Sequence, residues 1–125
     1  MITAKDILAE AKDLLGFSGV GTCETRLRTV ISRSYYAADH HMLAHNRVTR
    51  HAATEPKKPT TGTHQAFFDR LANIRDRDVD LARQILMRLY KYRKRADYML
   101  EVNLPTNKAR RCCRDAENLI QVILP

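Results

Sequence analysis

The amino-acid sequence predicts an all-α protein, an antiparallel up-and-down helical bundle of about five helices, and three observations lead there. Long segments repeat their apolar residues at the helical period. Alternating Val, Ile and Thr runs and Asn-Gly hairpin turns are missing. Four glycines and four prolines in 125 residues leave few of the turns a sheet needs. Apolar residues form 44% of the chain, enough for one core. Two cores at this length would each be too small to bury themselves well, so residues 1–125 are expected to form a single domain.

The first helix is expected from about Ala4 to Leu15, with Thr3 as N-cap, an apolar side of Ile7, Leu8, Ala11, Leu14 and Leu15, and Gly16 as its stop signal. The second is expected from Glu24 to about Asn46. At 100° per residue, Leu27, Val30, Ile31, Ser34, Tyr35, Ala38, Met42 and His45 fall on one broad stripe, the core side. From Arg47 to Thr63 the chain turns polar, with Pro56, Lys57, Lys58, Pro59 and Gly62, and reads as a basic surface loop. A third helix, about His64 to Ile74, is capped by Thr63 and buries Phe67, Phe68 and Leu71. The fourth, from Asp78 to about Leu100, carries a packing seam of Ala82, Ile85, Leu89, Tyr92, Ala96 and Met99. The last, about Asn107 to Ile123, buries Ala109, Cys112 or Cys113, Ala116, Leu119, Ile120 and Ile123.

Twenty-two Lys and Arg against fourteen Asp and Glu give a net charge of +8, which favours phosphate-bearing partners or an acidic protein surface. Residues 1–46 hold five basic and five acidic side chains, so the excess lies wholly in the remainder. Arg88, Lys91 and Arg95 form one stripe on the fourth helix. Lys108, Arg110, Arg111 and Arg114 crowd the start of the last helix, where the macrodipole disfavours cations, so local helix stability does not account for them. A nucleic-acid-binding face made of Arg88, Lys91, Arg95, Arg110 and Arg111 is one explanation, and a solvated surface whose stems cover apolar neighbours is the other.

No apolar run reaches membrane-spanning length and no basic-then-apolar leader opens the chain, so a cytoplasmic location away from membranes is expected. Adjacent Cys112 and Cys113 with distant Cys23 lack both disulfide and zinc-site spacing and read as reduced packing residues. His40, His41 and His45 lack a carboxylate or thiol at ligand spacing, so neither metal nor other cofactor is expected. His41 and His45 lie on or beside the core stripe and read as structural.

Arg33, Tyr36 and His40 lie within about 60° of one another on the second helix, opposite Ile31 and Ala38. Arg33 and His40 are about 10 Å apart along the axis, a gap a guanidinium partly closes. Metal-independent RNA cleavage needs a base for the 2′-hydroxyl proton and a fixed cation for the charged phosphorane, and imidazole and guanidinium suit those roles. Tyr36 and Asp39 are placed to orient the imidazole or to donate to phosphate. The same residues, beside Ala37, Leu43 and Ala44, are also what a subunit interface contains.

The string Ser32-Arg33-Ser34-Tyr35-Tyr36-Ala37-Ala38-Asp39-His40 resembles the second-helix signature S-R-x-Y-Y-A-x-x-H of the HEPN domain family. Gly62-Thr63-His64-Gln65 before Phe67 resembles the family's G-x-H-K/Q lead-in to its third helix. Leu89-Tyr90-Lys91-Tyr92-Arg93-Lys94-Arg95-Ala96-Asp97-Tyr98 resembles its L-Y-x-x-R-x-x-A-D-Y segment. The resemblance implies a helical bundle that forms a homodimer around a polar cleft. Many relatives are ribonucleases with an R-x4-6-H motif, which Arg33 and His40 fit, in toxin–antitoxin and defence systems. Many are encoded beside a minimal nucleotidyltransferase that serves as partner or antitoxin. Two expectations follow: an RNA-cutting protein with Arg33, His40 and Tyr36 as catalytic residues, or a non-catalytic partner of a nucleotidyltransferase that binds nucleotide or nucleic acid.

Overall fold

The computed structural model describes residues 2–17, 23–45 and 63–123. These form five helices, α1 (Ala4–Phe17), α2 (Glu24–Ala44), α3 (Thr63–Ala72), α4 (Arg77–Tyr98) and α5 (Thr106–Val122), and no strand occurs among the described residues. The expected loop from Arg47 to Gly62 lies outside them. No described helix is long and apolar enough to cross a membrane.

Local chemistry sets the helix ends. Thr3 and Asp6 form a reciprocal cap at the start of α1: the Asp6 amide donates to Thr3 Oγ1 at 3.2 Å, and the Thr3 amide donates to Asp6 Oδ2 at 2.8 Å. The expected stop at Gly16 does not occur, because α1 continues through it to Phe17. A Cβ built at Gly16 meets nothing within 4 Å, so the absence of a side chain there answers no steric demand. Asp76 caps α4 by accepting from the Asp78 and Val79 amides at 2.9 and 3.3 Å.

Helix α2 is the centre of the packing and touches α1, α4 and α5. Its expected stripe is buried from Leu27 to His45, but Ala37 is also fully buried, although the periodicity placed it off that stripe. A helix with neighbours on three sides has no wide polar face left. On α4 the expected seam holds at Ala82, Ile85, Leu89 and Ala96, joined by Val79, Leu86 and Arg93. Met99 departs from it: the helix ends at Tyr98, and Met99 is 42% exposed. On α5 both Cys112 and Cys113 are buried, alongside the unexpected Asp115.

Arg28 fastens α4 to α2. Its guanidinium, only 11% exposed, donates to the carbonyls of Arg95 and Ala96 at 2.9 Å each, and to those of Met99, Leu100 and Val102. The last turn of any helix leaves carbonyls without an intrahelical donor, and one planar five-donor group here satisfies those of α4 and the turn beyond it.

Candidate functional site

Arg33 and His40 are both exposed and line one open groove of about 830 Å³ between α1 and α2, within the range typical of ligand sites. The walls come from the start of α1, with Thr3, Asp6, Ile7 and Glu10, and from His41 and Ala44 on α2. Among the described residues, no hydrogen bond or ion pair engages Arg33 or His40. His41 is held differently. Its Nε2 lies 2.5 Å from the Ile123 carbonyl, which only accepts, so Nε2 carries the proton and the ring ties α2 to the end of α5. His45 is buried. Both histidines therefore take the structural positions expected of them.

Two carboxylates share the groove. Asp6 is turned to the helix start, where the Thr3 amide and then the Thr3 hydroxyl hold its carboxyl below the usual range. Glu10 lies on the same wall. The groove thus has a cationic side on α2 and an acidic side on α1.

Tyr36 does not join Arg33 and His40 in the groove. Its hydroxyl accepts a hydrogen bond from Arg93 Nη2 at 2.9 Å, and its ring lies under the same guanidinium. On the helical wheel Tyr36 sits about 60° from Arg33 and 40° from His40, on the side that turns toward α4. That offset is enough to send it to a different neighbour.

What Tyr36 joins is a polar cluster linking α2, α3 and α4. Arg93, 9% exposed, lies over the rings of Tyr35, Tyr36 and Tyr98 with its guanidinium carbon 5.1 to 5.8 Å from their centres. Its Nε is 2.9 Å from Asp97 Oδ2, an ion pair without hydrogen-bond alignment, and Ser32 Oγ donates to the same oxygen at 3.2 Å. Tyr35 Oη lies 2.6 Å from His64 Nδ1. Burial first, and then the Asp39 charge, push the Tyr35 phenol far above its ordinary range, so Tyr35 keeps its proton in this contact. The His64 ring packs on Tyr90 with 4.8 Å between centres. Burial also raises the Asp39 carboxyl, partly offset by the nearby His64, His40 and Arg93 charges.

This cluster draws from all three strings that resemble HEPN signatures: Ser32, Tyr35, Tyr36 and Asp39 from the first, His64 from the second, and Tyr90, Arg93, Asp97 and Tyr98 from the third. Reading the residues one helix at a time could not find it, because no periodicity relates positions on different helices. The burial of Arg93 is the clearest miss. An arginine within a run of cations reads as surface, and only a match between the strings marked it.

The expected cationic face divides. Arg88 is an interhelical tie, its Nε bonded to the buried Asp115 Oδ2 at 3.0 Å, with the Asp115 hydrogen bond raising the guanidinium further. Arg95 lies over the Tyr92 ring at 5.4 Å, together with Lys108 from α5 at 5.6 Å. Lys91 and Arg111 are exposed. Arg110 belongs elsewhere, in a groove between α1 and α5 with Lys12 and Arg114. None of the five lines the groove of Arg33 and His40.

Comparison of the chain with family models, with curated proteins and with solved structures finds no match.

Proposed function

We propose that this chain is a HEPN-type domain, an antiparallel up-and-down helical bundle acting on RNA as a metal-independent endoribonuclease of toxin or defence type. In this reading it is cytoplasmic and pairs as a homodimer with the groove at the subunit cleft. The observation that carries it is that Arg33 and His40 stand exposed on one groove, free of hydrogen bonds and ion pairs among the described residues. The convergence of the three HEPN-like strings on one cluster supports the family part.

In the proposed reaction the His40 imidazole takes the proton of a ribose 2′-hydroxyl. The 2′-oxygen bonds to the adjacent phosphorus, and Arg33 stabilises the added negative charge on the phosphorane. The bond from phosphorus to the 5′-oxygen breaks, and that oxygen takes up a proton. The products are a 2′,3′-cyclic phosphate and a 5′-hydroxyl, with no metal required. Incubating RNA with the protein in the presence of a chelator and mapping the ends tests this directly. Wild type yields cyclic phosphate ends, and His40→Ala and Arg33→Ala each cut at least about a hundredfold more slowly. Undiminished cutting by both variants removes them from the mechanism.

One observation favours the second reading, a non-catalytic partner of a minimal nucleotidyltransferase. Glu10 and Asp6 place negative charge on the groove wall, which repels a phosphate chain. Under that reading the protein leaves RNA intact and co-purifies with a nucleotidyltransferase encoded beside it.

A further inference from the structure

The cationic residues of α4 and α5 are sorted by what holds them. Arg83, Arg88 and Arg93 are paired with Asp80, Asp115 and Asp97. Lys94 lies over Tyr90 in the polar cluster, Arg110 and Arg114 face the groove between α1 and α5, and Arg77 stands apart at the start of α4. What remains is one group around Tyr92: Lys91 and Arg95 a turn apart on α4, and Lys108 and Arg111 a turn apart on α5. No carboxylate among the described residues pairs with any of the four. Like charges a turn apart are mutually unfavourable on a helix, and cations at the start of α5 also oppose its dipole. Folding gathers charges here that it does not neutralise.

Arg95 and Lys108 come from different helices and share a single ring, 5.4 and 5.6 Å from its centre. Tyr92 therefore preorganises two cations across the α4–α5 seam, with Lys91 and Arg111 continuing the charge along each helix. A ring occupied by cations is a poor stacking platform for a base, so the group is fitted to phosphates and not to base identity.

We propose that the Tyr92-centred face of α4 and α5 binds the sugar–phosphate backbone of single-stranded RNA, independently of sequence and at a place separate from the groove of Arg33 and His40. The proposal rests on the RNA reading above and adds to it a second site, with Lys108 and Tyr92 as members and Arg88 as a tie that fixes the seam.

The test is fluorescence anisotropy with a labelled uridine-rich RNA, over a salt range from about 50 to 200 mM. Lys91→Gln with Lys108→Gln is expected to weaken binding about tenfold at low salt and to flatten the log–log salt slope by about 1.4, two phosphates at about 0.7 each. Arg75→Gln with Arg77→Gln removes the same charge from exposed positions just before and at the start of α4, the end away from Tyr92, and is expected to leave both quantities near wild type. Absence of RNA binding by wild type, binding only to inorganic polyphosphate, unchanged binding by the first variant, or equal losses in both variants each overturns the proposal. A protein that binds RNA as described but never cuts it would refute the ribonuclease reading and leave this face standing.

Discussion

Arg93 on α4 donates from Nη2 to the hydroxyl of Tyr36 on α2 at 2.9 Å, and this contact, made between helices, takes Tyr36 out of the groove that its spacing from Arg33 and His40 had assigned to it. The phenol serves the joint between α2 and α4. Tyr36→Phe keeps the ring under the guanidinium and removes only the acceptor, so it is expected to cost about 1–2 kcal/mol in urea unfolding. RNA cutting measured well below the unfolding transition is expected to match wild type. A variant that is as stable as wild type yet inactive would return Tyr36 to the catalytic set.

Arg28 concentrates more backbone acceptors than any other described side chain, five carbonyls at the end of α4 and in the turn beyond it. Arg28→Ala removes this donor from all five, although the Arg95 and Met99 carbonyls still accept from the Met99 and Val102 amides, and it is expected to destabilise the fold by about 3 kcal/mol. Arg28→Lys keeps the charge but not the fork, and most of the loss is expected to remain. Equilibrium unfolding of the three proteins side by side checks both statements.

Asp39 gives a pH prediction whose sign follows from burial. Its folded carboxyl titrates above the ordinary value of 3.8, chiefly because burial disfavours the charged form. Between the unfolded value and the raised folded value the native state binds the extra proton, so stability falls as pH rises through that window and is level above it. Asp39→Asn removes the loss. The variant is expected to melt higher than wild type at pH 7, with the difference closing as pH drops below 3.8. Scanning calorimetry across that range is the measurement, and a variant less stable at pH 7 would mean that the His64, His40 and Arg93 charges outweigh burial.

The thiols are expected to separate by reactivity. Cys23 is exposed at the start of α2, where the Arg26 amide, and then Thr25, lower its pKa. Burial pushes the Cys112 thiol up to about 12 and raises Cys113 as well. Iodoacetamide under native conditions is expected to label Cys23 alone, and peptide mapping after urea unfolding is expected to find all three labelled. Labelling of Cys112 or Cys113 in the native state would show that α5 opens.

The helices were legible because helical periodicity is a local property. The buried stripe of α2 from Leu27 to His45, the aromatic side of α3 and the apolar side of α5 all follow from 100° per residue. Gly16 misled because a glycine near a helix end carries no information about whether the next residue continues the helix, and Phe17 does. Ala37 escaped because small residues mark no face until the number of neighbouring helices is known. In the candidate site, the exposure shared by Arg33 and His40 was legible from their angles alone. The diversion of Tyr36 depended on Arg93, 57 residues away.

Composition and periodicity on their own settled that the chain is helical, where each helix runs within a residue or two, and that the excess positive charge lies in the second half. These depend on backbone geometry and side-chain type, which each short segment carries with it. Which charges remain free was decided only by packing. Arg28 and Arg93 became internal fasteners, Arg88 was cancelled by Asp115, and Lys91, Arg95, Lys108 and Arg111 stayed without a carboxylate partner among the described residues. A cation's fate depends on whichever carbonyl, ring or carboxylate the opposing helix presents, and that helix is remote in sequence.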